Sequence, residues 1–245
     1  MLADMSEQTI ALVTGANKGI GYEIAAGLGA LGWCIALGAR DRKLGAKAAA
    51  ALSARGVDAF TVPLDVTEDA DVSAAAQLLE ERAGRLDVLV NNAGAAGGWP
   101  DAPTSLDPAG LLRLVDTNVV GVIRVTNAML PLLRRSVHPR IVNQSSHVGS
   151  FTLQTDPDTG LGGISGGYAP TKTLLNAVTV QYTAELRGTG ILINNACPGY
   201  VATALNGFSG TRTPEEGARI AIRLATLPDD GPTGGHFDDD GPVPW

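Results

Sequence analysis

Positive charge is scarce in this chain: 18 Lys and Arg stand against 25 Asp and Glu, a formal net charge of −7. A field of that sign repels the nucleic-acid backbone, so no nucleic-acid partner is expected and any phosphate must be gripped locally. Cysteine is nearly absent. Cys34 and Cys197 both lie in apolar contexts, and a chain of 245 residues needs no disulfide staple to fold, which fits a reducing, cytoplasmic compartment. No window approaches the roughly 18 apolar residues of a membrane span, and residues 1–9 lack the basic head and apolar run of a signal peptide, so no membrane partner is expected. The three histidines, His138, His147 and His236, have no acidic or cysteine neighbours at ligand spacing, which argues against a metal site. Aromatics make up only 4% of residues, leaving a core of Ala, Val, Leu and Ile suited to helices packed closely on a sheet.

What the chain does have is alternation. Short apolar runs at 10–14, 34–38, 59–64, 88–90, 140–144 and 192–196 are separated by helical stretches at 19–32, 42–55, 70–83, 108–134, 167–187 and 213–225. This reads as βαβ units: an α/β fold with a doubly wound, mainly parallel Rossmann-type sheet and helices on both faces. Several runs are continuously apolar, as strands buried on both faces must be. Neither a repeat nor a linker divides the chain, so residues 1–245 are expected to form one domain. Gly, Pro, Asp, Ser and Thr concentrate at 94–106, 149–167, 204–212 and in the acidic tail from Pro228. These are expected to be surface loops, three of them at the carboxyl ends of strands, where open α/β sheets bind ligands.

The first strand runs into Thr14-Gly15-Ala16-Asn17-Lys18-Gly19-Ile20-Gly21 at the start of a helix. Free backbone amides at such a junction can receive a pyrophosphate, and glycines let it approach; an ordinary glycine-rich turn is the plain alternative. After the second strand the chain reads Leu37-Gly38-Ala39-Arg40-Asp41. The slot where an acidic residue would accept from an NAD ribose is Ala39, followed by Arg40, with Lys18 in the loop. Two cations there suit a 2′-phosphate and hence NADP(H), unless both are simply solvated surface charges. Asp65-Val66 and Asn91-Asn92-Ala93-Gly94, after the third and fourth strands, fall where adenine and its ribose would lie.

Tyr168-Ala169-Pro170-Thr171-Lys172 sets a phenol and an ammonium four residues apart, on one face of a helix. A nearby cation favours phenolate and would move the hydroxyl toward the range of proton donation and recovery. Pro170 requires that this be the helix's first turn.

With the glycine loop, Asn91 to Gly94, Asn118, Asn143-Gln144-Ser145-Ser146, Tyr168 with Lys172, and Pro198-Gly199 in this order, the chain resembles the short-chain dehydrogenase/reductase family over nearly its whole length. The resemblance implies Tyr168 as general acid, Lys172 on the nicotinamide ribose, Ser146 (with Ser145 as the alternative) on the substrate carbonyl, and Asn118 holding a water beside the lysine. It also implies contacts to the nicotinamide end from Pro198, Gly199, Val201 and Thr203. Ser146 and Tyr168 are 22 positions apart, more than the family's usual dozen. That excursion, with the ending from Gly231 to Trp245, resembles the carbonyl-reductase-like subgroup.

The implied activity is NADPH-dependent reduction of a small-molecule ketone or aldehyde, with alcohol oxidation in reverse. A catalytically weak NADP(H)-binding regulator and a dedicated biosynthetic ketoreductase are the alternatives. A homodimer or homotetramer through the helices at 108–134 and 167–187 is compatible with the resemblance, although the insertion could obstruct that surface. His147 faces either the pocket or solvent, Trp99 forms either a pocket wall or a loop anchor, and Cys197 reads as buried filler.

Overall fold

A computed structural model describes residues 8–98, 102–161 and 164–245; Trp99 lies outside them. Strands β1 (Ile10–Val13), β2 (Cys34–Ala39), β3 (Ala59–Pro63), β4 (Val88–Asn91), β5 (Arg140–Gln144), β6 (Leu192–Ala196) and β7 (His236–Phe237) form one parallel sheet in the order β3-β2-β1-β4-β5-β6-β7. The order reverses between β1 and β4, and the loops diverging there open a crevice at the carboxyl edge.

Strand pleating distributes the apolar residues. Ala11, Val13, Val88, Val90, Val142 and Ala196 face one way and pack with α1 (Gly19–Ala30), α2 (Arg42–Ser53) and α8 (Pro214–Ala225). Ile10, Leu12, Leu89, Ile141 and Ile193 face the other way, against α3 (Asp69–Ala83), α5 (Gly121–Leu133) and α7 (Tyr168–Glu185). Each fully buried Leu or Ile in these layers contributes about 2 kcal/mol from its removal from water. Small residues set the spacing: a Cβ on Gly27 of α1 would come within 2.4 Å of Ile222 Cδ1 on α8.

Three expectations are corrected. The helix foreseen over 108–134 is α4 (Pro108–Val115), then a wide π turn (Asp116–Val120), then α5. Apolar periodicity cannot register one wide turn within a continuous helix. The stretch 149–167 is not all loop: Ser150 Oγ accepts from Leu153 N at 3.1 Å and caps α6 (Phe151–Thr155). The tail supplies β7, whose two residues are too short a signal to read; Asn195 N donates to Gly235 O at 2.9 Å and Cys197 N to Phe237 O at 2.7 Å. Among the described residues no helix is long and apolar enough to cross a membrane.

Candidate functional site

The glycine loop lies over the end of β4. Gly15, at φ +64°, brings the chain so close to Ala93 that a Cβ would sit 3.0 Å from Ala93 Cα. A Cβ on Gly21 would strike Asn92 Nδ2 at 2.4 Å. That amide belongs to the loop's bracing: Asn92 Nδ2 donates to Thr14 O at 2.9 Å, while Asn92 N and Ala93 N both donate to Thr14 Oγ1 at 2.9 Å. Lys18 is the N-cap of α1, with no side-chain cap and no acidic residue in the first turn of this 12-residue helix. Such an end attracts an anion. Asn17 and Ile20 are half-buried in the same loop, Ile20 packing onto the core beneath α1.

At the end of β2, Asp41 is spent on capping α2: its Oδ1 accepts from Lys43 N and Leu44 N, each at 2.9 Å. Arg40 is exposed and, among the described residues, makes no hydrogen bond or ion pair. Asp65 accepts from Thr67 Oγ1 at 2.7 Å and Thr67 N at 3.0 Å. Burial works against its charge, but those bonds and the Arg40 cation prevail and hold the carboxyl below its ordinary range. Val66 is buried against Gly121, where a Cβ would lie 2.8 Å from Val66 Cγ2. These residues fit the adenosine end of a dinucleotide: an exposed cation, a charged carboxylate and a small-residue cradle.

Tyr168 begins α7, with Pro170 in the first turn as required. Lys172, one turn on, is only 5% exposed; its Nζ stands 5.5 Å from the Tyr168 ring centroid and donates to Gln144 O at 2.7 Å. A Cβ on Gly94 would lie 3.4 Å from Asn118 Oδ1 and 3.9 Å from Lys172 Nζ, so these three residues lie side by side. Asn118, within the π turn, is fully engaged by protein: Oδ1 accepts from Ala95 N at 2.8 Å, and Nδ2 donates to Ala95 O at 2.8 Å and Thr171 Oγ1 at 3.0 Å. Burial pushes the lysine amine down to about 8 and the half-buried tyrosine phenol well above its ordinary value. The lowering of the phenol expected from a neighbouring ammonium is not what the site shows: burial raises the hydroxyl, and nearby Cys197 adds to the rise.

The two serines separate. Ser145 Oγ is buried and donates to Asn176 Oδ1 at 2.6 Å, whereas Ser146 Oγ only caps the turn His147–Gly149, accepting from Val148 N at 3.4 Å. Ser146 retains a free hydroxyl hydrogen; Ser145 does not. Asn176 is also part of a ladder the sequence reading missed. Asn91 Nδ2 donates to Asn143 Oδ1 (2.9 Å), Asn143 Nδ2 to Thr179 Oγ1 (2.9 Å), Thr179 Oγ1 to Asn195 Oδ1 (2.8 Å) and Asn195 Nδ2 to Asn176 Oδ1 (2.8 Å). It ties α7 to the ends of β4, β5 and β6, and its signal was the presence of asparagine in all three of these strands.

Beyond β6, Pro198 O accepts from Arg212 Nη1 at 2.8 Å, and Arg212 also bonds Asp239 of the tail. Gly199 has φ +75°, Val201 is buried, and Thr203, the N-cap of the turn Ala204–Asn206, puts its Cγ2 3.5 Å from where a Cβ on Gly19 would be. The 198–203 segment and the glycine loop therefore meet across the crevice.

The histidines did acquire partners in three dimensions. His147 Nε2 lies 2.8 Å from Asp238 Oδ2, and buried His236 stacks on Trp245 with Nε2 2.6 Å from Cys197 Sγ. Among the described residues, however, no group of three or more His, Cys, Asp or Glu could hold a metal ion.

This arrangement has known counterparts. The family model for short chain dehydrogenase matches residues 9–213. Mouse carbonyl reductase [NADPH] 1 is 32% identical, with 98% of this chain and 99% of that protein covered. Salutaridine reductase from Papaver somniferum superposes with a TM-score of 0.83 at 30% identity, over 95% of this chain and 100% of its own. The NADPH-bound carbonyl reductase from chicken fatty liver gives 0.84 at 26% identity, over 97% and 99%. With that match spanning the glycine loop, the Tyr168–Lys172 helix and the segment after β6, the chain belongs to the short-chain dehydrogenase/reductase family and is carbonyl-reductase-like within it.

Proposed function

We propose that this chain is an NADP(H)-dependent oxidoreductase that reduces a small-molecule ketone or aldehyde to an alcohol, acting as one dinucleotide-binding domain over 1–245. The observation that carries the reading is Lys172: a buried ammonium anchored to the end of β5, one turn from the Tyr168 phenol and beside Gly94 at the crevice wall. The resemblance to NADPH-dependent and NADPH-bound carbonyl reductases supports the choice of cofactor, and so does the exposed Arg40. Free, buried Cys34 and Cys197 support a reducing, cytoplasmic setting.

The first-turn amides of α1 receive the pyrophosphate, and Arg40 with Lys18 takes the 2′-phosphate. Asp65, Val66, Asn92, Ala93 and Gly94 wall the adenosine half; Pro198, Gly199, Val201 and Thr203 wall the nicotinamide half. The cofactor, when bound, supplies a hydride to the carbonyl carbon. Ser146 donates a hydrogen bond to the carbonyl oxygen as negative charge develops there. Tyr168 delivers the proton that completes the alcohol. Its raised pKa keeps it a protonated donor, and the Lys172 cation stabilises the phenolate that results. Asn118 holds the 95 loop and the first turn of α7 in place, so its contribution is to position the lysine.

The test is NADPH oxidation across a panel of ketones and aldehydes, repeated with Tyr168→Phe. Turnover should fall by about 10²- to 10⁴-fold in the variant while NADPH affinity stays within about threefold. Cofactor binding with no turnover on any carbonyl, unchanged by Tyr168→Phe, would instead mark a regulator.

A further inference from the structure

One side chain at this edge has no role in the account above. Gln144 ends β5, is 7% exposed, and among the described residues has neither Nε2 nor Oε1 bonded to any partner. Polar side chains around it are engaged elsewhere: Asn143 with Asn91 and Thr179, Ser145 with Asn176, Asn92 with Thr14. A buried amide missing both its donor and its acceptor bonds disfavours the folded state unless a partner arrives.

Strand geometry says where the amide points. Asn143 faces α7, since it bonds Thr179, and Val142 faces the layer of Ala16, Ala196 and α8. Alternation puts the Gln144 side chain on Val142's face, at the level of Ala196, its partner in β6. That is the side of the sheet on which the glycine loop opens α1. Along the sheet, β5 stands three strands from β2 and Arg40, far from the adenosine end. It lies instead at the reacting end, where Lys172 grips Gln144's own carbonyl.

We propose that Gln144 is an additional cofactor-binding residue whose side-chain amide pairs with the carboxamide of the nicotinamide ring. The proposal rests on NADP(H) being the cofactor. Two orphaned atoms, one donor and one acceptor, call for a ligand group with the reciprocal pair. A primary carboxamide has both; a phosphate would satisfy only Nε2 and leave Oε1 unbonded. The consequence is control over the ring's rotation, and so over the face it presents to Tyr168.

Dissociation constants measured by calorimetry separate the possibilities. NADP⁺, its 3-acetylpyridine analogue and 2′,5′-ADP are titrated into the wild type, Gln144→Met and Gln144→Asn, each checked for folding by circular dichroism. Expected is an affinity loss of about tenfold or more for NADP⁺ in both variants. Binding of 2′,5′-ADP, which has no nicotinamide, should stay within about twofold, and Gln144→Met should erase the wild type's preference for NADP⁺ over the acetyl analogue. NADP⁺ affinity unchanged in a folded variant, or equal losses for NADP⁺ and 2′,5′-ADP, overturns the role of Gln144 alone. A wild type that binds neither NADP⁺ nor 2′,5′-ADP overturns the cofactor assignment with it.

Discussion

Lys172 Nζ donates to the main-chain carbonyl of Gln144 at 2.7 Å, so the ammonium is fixed to the end of β5 by the protein alone. A long, flexible side chain that must act as a point charge loses rotamer freedom when it is held; here folding has already removed that freedom. The buried asparagine ladder beneath it keeps α7 and the strand ends in one register, which is what preorganisation of a proton donor requires.

Burial leaves the Lys172 amine at about 8, below its ordinary 10.5. Above pH 8 the folded chain therefore holds fewer protons here than the unfolded chain, and this group makes ligand-free stability rise with pH. Cys34, pushed up to about 12 from 9, acts with the opposite sign above pH 9, leaving pH 8 to 9 as the informative interval. The difference in unfolding free energy between wild type and Lys172→Met should climb by up to about 1 kcal/mol across it, measured by urea titration. A flat difference means the amine is not desolvated.

His236 behaves differently because burial, with the nearby His147, depresses its imidazole to about 4 from 6.5. The stability tied to its neutral form is complete above pH 6.5 and is lost as pH falls toward 4, by about 3 kcal/mol at most. His236→Phe, which preserves stacking on Trp245, should flatten the acid limb of the stability curve relative to wild type. Parallel curves for the two proteins would remove His236 as the cause.

Arg40 is the exposed cation at the end of β2, beside an aspartate already used as a helix cap. Arg40→Ala should weaken NADPH binding by about 10- to 100-fold and change NADH binding little, because only the former carries a phosphate to lose. Equal dissociation constants for NADPH in wild type and variant would assign the 2′-phosphate elsewhere.

The order of apolar runs and helices determined the α/β class and all six of the longer strands, because burial on two faces leaves a continuous hydrophobic record in each strand. The Tyr168–Lys172 spacing likewise determined that phenol and amine share a face of α7. Sequence could not decide which polar side chains meet, because those pairings join residues far apart in the chain: Asn118 to Ala95, His147 to Asp238, Cys197 to His236, Asn143 to Thr179. Nor could it show that Ser145 is consumed by Asn176 or that the Gln144 amide is left over, since hydrogen-bond satisfaction is a property of the packed interior. Tertiary structure alone also set the sign at the tyrosine, where desolvation, a sum over every surrounding atom, raises the phenol and Cys197 raises it further.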